Sequence, residues 1–189
     1  MEEVSDRVVP AICSSRLDLV SMSREFIALL LDDRRDEARR LIGAEIPTGW
    51  PDDHDARFVR MRAEEMERRP EIREWLIRAA ISQEGEERVM VGHVGFHGPP
   101  GRNGPGKPDA LEVGYTIFAP FRGRGYATEV AEALMDWALQ ERGVRYFIAS
   151  AAPQNKASVA VLRKLGFKQT GEQWDDEDGL ELVFELTID

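Results

Sequence analysis

The segment Ile117–Val130 reads IFAPFRGRGYATEV. Upstream of it, apolar and polar residues alternate from Leu111 to Ile117, which predicts a half-buried strand. Downstream, apolar residues recur at helical spacing from Val130 to Ala138, which predicts a helix with one buried face. The segment is therefore predicted to join a strand to a helix through a tight turn that contains glycines and arginines.

This turn has the chemistry of an anion site. The first N–H groups of a helix have no partner within the helix, and the helix dipole places partial positive charge on them. Gly123 and Gly125 have no side chains to keep an anion from the backbone, while Arg122 and Arg124 add full positive charges. A phosphate or pyrophosphate would fit here. On the turn alone, a glycine-rich connection with solvated arginines fits equally well.

Two known phosphate motifs are excluded. A P-loop requires a Gly-Lys-Ser/Thr run, which the chain lacks. A dinucleotide fingerprint requires a third glycine, but Thr128 occupies that place. It also requires an acidic residue after the next strand, where this chain has Ala149–Ala152, ASAA. The remaining pattern is Arg-x-x-Gly-x-Ala, written RGRGYA over Arg122–Ala127.

That pattern resembles the acetyl-CoA motif of the GNAT superfamily of N-acetyltransferases. A second segment, Asn155–Phe167, reads NKASVAVLRKLGF. It is similar to the Asn-x-x-Ser-x-x-x-Leu-x-x-x-Gly-Phe segment of the branch that contains ribosomal-protein and other N-terminal amine acetyltransferases. The two motifs in this order, separated by a predicted strand, are specific to the family. The resemblance extends from Arg88 to Ile188.

The chain is predicted to be a single domain, residues 1–189, with a loose tail over residues 1–10. The fold class is α+β (α/β layered), with a GNAT-like mixed, mostly antiparallel central sheet of about seven strands flanked by helices. Strands are predicted at 16–20, 75–82, 88–97, 111–117, 144–151, 167–174 and 180–188. Helices are predicted near 23–31, 33–42 and 55–68, after the glycine turn with a buried face from Val130 to Ala138, and near 156–165. A loop without regular structure is predicted for His97–Asp109.

Composition narrows the functional class. With 42% hydrophobic and 32% charged residues, the chain is globular. It has no apolar run long enough to span a membrane, and its start lacks the features of a signal peptide. The net charge of −10 argues against nucleic-acid binding and suits a cationic acceptor. The single cysteine, Cys13, excludes an internal disulfide. A cytoplasmic protein without membrane or nucleic-acid partners is expected.

The resemblance implies how acetyl-CoA would bind. Main-chain groups of Arg122, Gly123, Arg124, Gly125, Tyr126 and Ala127 would hold the pyrophosphate. The pantetheine arm would lie along the end of the fourth predicted strand, at Ile117, Phe118 and Ala119, and a main-chain N–H near Phe118 would meet the thioester oxygen. Core packing of Ile117 and Phe118 is compatible with that role, because only backbone atoms would bind.

Two residues of the second motif have two interpretations each. Asn155 is predicted to cap a helix, and the resemblance adds a contact with the coenzyme arm. Ser158 shares the inward face of that helix with Leu162, so its hydroxyl needs a partner. The partner is either a local carbonyl or the coenzyme sulfur, where Ser158 would donate a proton to the leaving thiolate. Many relatives carry a tyrosine acid four residues later, at the position of Leu162.

For the general base, Glu112 on the fourth predicted strand is the first candidate, because that strand would line the substrate groove. A solvated or salt-bridged glutamate is the alternative. His93 and His97 are predicted on one face of the preceding strand and are further candidates, since neutral imidazole suits the task. Water is the remaining candidate for the general base. No metal is expected.

The predicted function is transfer of acetyl from acetyl-CoA to a primary amine within a ternary complex, by a monomer or a homodimer. The acceptor is a small molecule or a peptide: a protein N-terminus, a polyamine, an amino acid or an antibiotic amine would fit. Trp50 and the acidic turn Asp175–Asp178 are candidates for the acceptor pocket. The alternatives are a non-catalytic module that binds or senses an acyl-CoA, and an enzyme that uses a longer acyl donor.

Overall fold

The computed structural model describes residues 8–102, 107–175 and 179–188. The chain divides into two units with a boundary between His93 and Val94. Within the described ranges, none of the helices has the length and apolar character needed to cross a bilayer.

The first unit combines a sheet with three helices. Its elements are β1 (Ile12–Cys13), β2 (Leu17–Ser21), α1 (Arg24–Leu31), α2 (Arg35–Ile42), α3 (Asp53–Arg68), a 3-10 helix (Pro70–Trp75), β3 (Arg78–Ser82) and the first residues of β4 (Val89–Phe96). The strand order is β1-β2-β3-β4. Antiparallel pairing joins β1 to β2 and β2 to β3. Buried and half-buried residues alternate along β2, as its sequence predicts.

Backbone conformation explains where α2 starts, and a side-chain cap explains where α3 starts. α2 begins at Arg35 rather than at the predicted Asp33, because Asp33 has a φ of 57°, outside the helical region. α3 begins two residues before the predicted Asp55. The side chain of Asp52 accepts hydrogen bonds from the first-turn N–H groups there and fixes the start of the helix.

The strands of this unit differ from prediction at two places. The strand predicted from Trp75 begins at Arg78, because Pro70 opens a 3-10 helix that takes up the residues through Trp75. β1 was not predicted, since two residues are too short to show a period. It forms through its pairing with β2, and the buried Arg78 guanidinium donates to the carbonyl of Pro10 just before it.

The second unit contains both sequence motifs. It holds the end of β4, then β5 (Ala110–Ile117), a short 3-10 helix (Ala119–Phe121), α4 (Tyr126–Arg142), β6 (Tyr146–Ala151), α5 (Lys156–Lys164), β7 (Lys168–Asp175) and β8 (Gly179–Thr187). The strand order is β4-β5-β6-β8-β7. β5 and β6 are parallel, whereas β6–β8 and β7–β8 are antiparallel. The predicted mixed, mostly antiparallel α+β architecture is confirmed, with eight described strands instead of about seven.

Glycines with positive φ bound the helices of this unit. The turn into α4 contains Gly123 and Gly125, with φ values of 77° and 83°, and Gly143 ends the helix with a φ of 68°. Most other residues avoid this region of backbone conformation. The described parts of His97–Asp109 form no helix or strand, as predicted, and residues 103–106 lie outside the described ranges. So do residues 176–178 of the predicted acidic turn.

Candidate active site

A cavity of about 250 Å³ opens in the second unit where β5 and β6 separate. Within the part of the chain that the structure describes, the parallel ladder between the two strands covers residues 110–112 of β5 and 146–148 of β6. Beyond it, each strand continues without its partner, and the cavity lies between the two continuations. Its lining comprises residues 113–115 of β5, residues 149–152 after the ladder on β6, Asn155, Ser158 and Leu162 from α5, and Glu181 from β8.

The glycine turn lies downstream on the same strand. Among the described residues, no side chain caps the start of α4, where Gly125 occupies the N-cap position. Apart from its two chain neighbours, no described residue has an atom within 4 Å of where a Gly123 Cβ would stand. The side chains of Arg122 and Arg124 are exposed. The turn therefore has an open backbone at the positive end of a helix, which is the geometry that anion binding requires.

The two arginines differ in how they are held. The Arg122 Nε donates a 2.9 Å hydrogen bond to the carbonyl of Ile117, which ties the turn back to the end of β5. The Arg124 guanidinium lies 5.9 Å from the centroid of the Phe121 ring. Arg122 thus has a structural contact in addition to the predicted electrostatic role.

The cavity begins earlier on β5 than the predicted pantetheine site. Ile117 is buried, Phe118 is half-buried and Ala119 opens the short 3-10 helix. The strand residues that line the cavity are instead Val113, Gly114 and Tyr115. Alternation along the strand gave no signal for this, because the separation of β5 from β6 depends on tertiary pairing.

Both polar residues of the second motif line the cavity. The Asn155 side chain accepts a 3.1 Å hydrogen bond from the N–H of Ser158, which confirms the predicted helix cap. The Ser158 hydroxyl lies 3.1 Å from the hydroxyl of Tyr115, which reaches it from β5. Tyr115 also donates a longer hydrogen bond, 3.4 Å, to the Ser158 carbonyl. The side-chain partner of Ser158 is thus a phenol on another element.

Tyr115 brings a tyrosine hydroxyl to the cavity from β5, whereas α5 carries Leu162 at the position where many GNAT enzymes have a tyrosine. Burial raises the pKa of the Tyr115 phenol above its usual value of 10.0, and this effect exceeds the opposing one of its hydrogen bond to Ser158. The phenol is therefore protonated near neutral pH. Sequence reasoning missed Tyr115, because its place in the alternation of β5 is that of a core residue.

A second polar group surrounds Glu112. The Ser150 hydroxyl donates a 3.1 Å hydrogen bond to Glu112 Oε1. His97 Nδ1 lies 3.4 Å from Glu112 Oε2, and the side chains of Glu112 and His97 are 17% and 46% exposed. Glu112 and His97, predicted as alternative bases, therefore lie side by side. His97 follows the end of β4 at Phe96 instead of ending the strand as predicted.

The terminal hairpin reaches this group from the other side. The Gln173 side chain on β7 donates hydrogen bonds to Ser150 Oγ at 3.1 Å and to Glu181 Oε2 at 3.0 Å. Glu181 itself lines the cavity. Ser150, Gln173 and Glu181 were not singled out from the sequence. Their meeting depends on the pairing of β6, β8 and β7, which no local motif encodes.

His93 and Trp50 belong to a packed cluster in the first unit. Their side chains are buried, and the His93 ring stacks on Phe58 with centroids 5.8 Å apart. Hydrogen bonding by the His93 imidazole lowers the pKa of the Asp55 carboxyl below its usual range, against the effect of burial. His93 and Trp50 therefore have the surroundings of core residues.

Comparisons with known proteins agree with this architecture. The family described as an acetyltransferase (GNAT) domain matches residues 16–168. YnaD of Bacillus subtilis (strain 168), an uncharacterized N-acetyltransferase, is 26% identical over 101 residues, 48% of this chain and 56% of that protein. The chain spans about half the length of the curated relatives it matches.

Two solved structures show the same fold. A GNAT-family acetyltransferase from Bacillus anthracis superposes with a TM-score of 0.62 at 21% identity, over 94% of this chain and 98% of that one. RimL, a ribosomal L7/L12 alpha-N-protein acetyltransferase solved in complex with coenzyme A, gives 0.63 at 20% identity, over 95% and 99%.

Proposed function

Since the chain belongs to the GNAT acetyltransferase family, we propose that it transfers the acetyl group of acetyl-CoA directly to a primary amine within a ternary complex. The observation that carries the proposal is the cavity where β5 and β6 separate. A carboxylate network lies on one side of it, and a hydroxyl pair lies on the other. Holding donor and acceptor together in such a site can supply ~7–11 kcal/mol of the barrier.

Donor binding is assigned to the turn and to β5. The amides of the turn at Gly123 and Gly125 and of the first turn of α4 at Ala127 would hold the pyrophosphate of acetyl-CoA with help from Arg122 and Arg124. The open backbone and the positive dipole end support this role. The pantetheine arm would follow β5 toward the cavity, past Ala119, Phe118 and Ile117, with Asn155 on its other side.

The hydroxyl pair is assigned to the leaving group. A thiolate that departs from the tetrahedral intermediate needs a proton or a hydrogen-bond donor. Ser158 lines the cavity, and the protonated Tyr115 hydroxyl lies behind it at 3.1 Å. Ser158 would donate to the thiolate while the Tyr115 proton turns from the Ser158 carbonyl to the Ser158 hydroxyl oxygen. This arrangement replaces the helix tyrosine that Leu162 cannot supply.

Glu112 is assigned as the general base. The attacking nitrogen must lose a proton, and a carboxylate held beside the cavity can accept it. Half-burial and the hydrogen bond from Ser150 hold the carboxylate in one orientation. The negative side chains of Glu112 and Glu181 favour a cationic acceptor on this side of the cavity.

We further propose a peptide or small-molecule amine as the acceptor and the cytoplasm as the compartment. RimL, which shares the fold, acts on the N-terminus of a ribosomal protein by its name. Peptides with a free N-terminus are therefore the first acceptors to try, with spermidine, a free amino acid and an aminoglycoside as the other classes.

Two measurements test the proposal. Calorimetric titration with acetyl-CoA should give saturable binding, and release of the free thiol should follow when an acceptor from this panel is added. Absence of binding would refute the proposal, and binding without turnover on any amine would favour the non-catalytic module. Arg122→Ala and Gly125→Val should weaken acetyl-CoA binding more than Ser158→Ala does. Equal losses in all three would contradict the division between donor turn and acid.

A further inference from the structure

Glu112 has a covered position beside the cavity. In the part of the chain that the structure describes, the lining of the cavity includes Ser150 but not Glu112. Glu112 pairs with Ile148 in the parallel register, and Ser150 is two residues beyond Ile148 on β6. Ser150 is therefore the next residue on the same face of the sheet, which places its hydroxyl between the cavity and the carboxylate.

The hydrogen bonds around Ser150 have a defined direction. A serine hydroxyl has one proton to donate and two lone pairs that accept. Its proton goes to Glu112 Oε1 at 3.1 Å, because a carboxylate can only accept. One lone pair accepts from the Gln173 amide, also at 3.1 Å. The second lone pair can accept from an amine in the cavity.

We propose that the Ser150 hydroxyl relays the proton of the acceptor ammonium to Glu112, with Gln173 holding the hydroxyl in position. The inference rests on the proposed acetyl transfer. In the step, an N–H bond of the ammonium breaks and a new O–H bond forms on Ser150. At the same time the original O–H bond of Ser150 breaks and an O–H bond forms on Glu112. The products are a neutral amine and a neutral carboxylic acid.

His97 is placed to carry the proton from Glu112 to the solvent. Either oxygen of a carboxylic acid can carry the proton, and Oε2 of Glu112 lies 3.4 Å from the Nδ1 atom of the half-exposed imidazole. A neutral His97 can pass the proton to water. In the described ranges, charged or titratable groups that contact the relay include His97 beyond β4, Glu112 on β5 and, through Gln173, Glu181 on β8.

Glu181 is the competing base. It lines the cavity directly and accepts from the other hydrogen of the Gln173 amide. If Glu181 took the proton without an intermediary, the Ser150 hydroxyl would be dispensable. The relay therefore makes a prediction about Ser150 that the competing route does not.

The test uses the full chain, acetyl-CoA and the best amine of the acceptor panel. The comparison substrate is an analogue of that amine with fluorine on the carbon next to the amine-bearing carbon. The analogue is a weaker base and needs less help to lose its proton. Ser150→Ala, Ser150→Thr and Glu181→Gln are compared, with Ser15→Ala as the control that removes an exposed hydroxyl from the first unit. Acetyl-CoA affinity is measured for each variant.

Ser150→Ala is expected to lower kcat/KM for the ordinary amine by about 10²-fold, the lower range for loss of general-base catalysis. The loss should shrink with the fluorinated amine, and Ser150→Thr should retain activity because it keeps a hydroxyl. Acetyl-CoA affinity should stay unchanged. Should Ser150→Ala fail to fold, Gln173→Leu tests the same relay by releasing the hydroxyl, and its smaller loss should shrink in the same way.

Three results would overturn the relay: full activity in Ser150→Ala, an equal loss with both amines, or a larger loss in Glu181→Gln that the fluorinated amine restores. A wild-type chain that binds acetyl-CoA but acetylates no amine would instead count against the proposed function, so the two failures are distinguishable.

Discussion

The two sides of the cavity differ in charge and in the kind of group they present. On the α5 side, Tyr115 and Ser158 form a neutral pair of hydroxyls, and burial raises the pKa of the phenol further. On the opposite side, Glu112, Ser150, Gln173 and Glu181 form a connected group that contains two carboxylates. One side is built to give a hydrogen bond or a proton, and the other is built to take one.

The difference teaches how one cavity can perform two proton transfers. A phenol and a carboxyl have ordinary pKa values of about 10 and about 4.3, so near neutral pH the first can donate a proton and the second can accept one. Here the Tyr115 phenol and the Glu112 carboxylate both come from β5, but each is held by a partner on a different element, α5 for the phenol and β6 for the carboxylate. Each of the following changes is expected to affect one side and spare the other.

The largest effect is expected from Glu112→Gln. The amide keeps the shape of the side chain but cannot accept the proton of the ammonium, so kcat/KM should fall about 10²- to 10⁴-fold. The binding of acetyl-CoA should not change, because the donor is assigned to the other end of β5. Thiol release under single-turnover conditions, together with calorimetry, measures both quantities.

Glu132→Gln is the matched control for this change, since Glu132 is exposed on α4 in the same unit. It should behave like the wild type. If Glu112→Gln retained wild-type kcat/KM, the carboxylate would be a structural partner of Ser150 and His97, and the base would have to be sought at Glu181.

Tyr115→Phe should have a smaller effect. It removes the hydroxyl that contacts Ser158 and leaves the ring, and a hydrogen bond of this kind contributes about 0.5–1.5 kcal/mol. The expected loss of kcat is therefore about 2- to 10-fold. Ser158→Ala added to Tyr115→Phe should cost less than the two single losses combined, because both residues act through one hydrogen bond.

A weakly basic acceptor sharpens this comparison. The fluorinated amine should restore part of the activity of Glu112→Gln, whose defect is the removal of a proton from the acceptor. It should leave the defect of Tyr115→Phe unchanged, because that residue is assigned to the leaving thiolate. Rescue of both variants to the same extent would contradict the separation of acid and base.

The sequence predicted more of the α5 side than of the opposite side. The motif at Asn155–Phe167 placed the cap and Ser158 on a helix, and both line the cavity. Helix caps and helical faces depend on residues within a few positions of each other, so a single sequence encodes them. Tyr115 was missed because the alternation of β5 marks it as a core residue.

On the other side only Glu112 and His97 were predicted, and as alternatives. Ser150, Gln173 and Glu181 come from β6, β7 and β8, whose order in the sheet is β6-β8-β7. Contacts among these strands depend on register and on the hairpin, which no local pattern specifies. The same reason explains why the separation of β5 from β6 could not be predicted.

The dependence of the unfolding free energy on alkaline pH should reveal the raised pKa of Tyr115. Because its pKa is raised in the folded state, at pH values above its usual 10.0 the folded chain holds a proton that the unfolded chain has lost. The free energy of unfolding therefore falls as pH rises past that value, by at most about 1.4 kcal/mol per pH unit for one group.

Tyr115→Phe removes this titration, so the variant should lose less stability than the wild type between neutral pH and about pH 11. Urea unfolding at a series of pH values measures the difference. Parallel pH curves for the two proteins would mean that the phenol titrates normally, and that burial does not raise its pKa.

The smallest effect is expected from Gly114→Ala. A Cβ at Gly114 would stand 3.0 Å from His97 Nε2, which is the far end of a flexible and half-exposed side chain. The imidazole can rotate away at little cost, so the free energy of unfolding should change by no more than about 0.5 kcal/mol.

This rotation of the imidazole would nevertheless move His97 away from Glu112 Oε2. If His97 only carries the proton from Glu112 to water, kcat should fall about 2-fold, the cost of a weakened hydrogen bond. Added imidazole buffer should restore it by taking the proton instead. Steady-state thiol release is measured in imidazole buffer and in phosphate buffer of equal pH. A loss of proton transfer through His97 should depend on the buffer, whereas a packing effect should not.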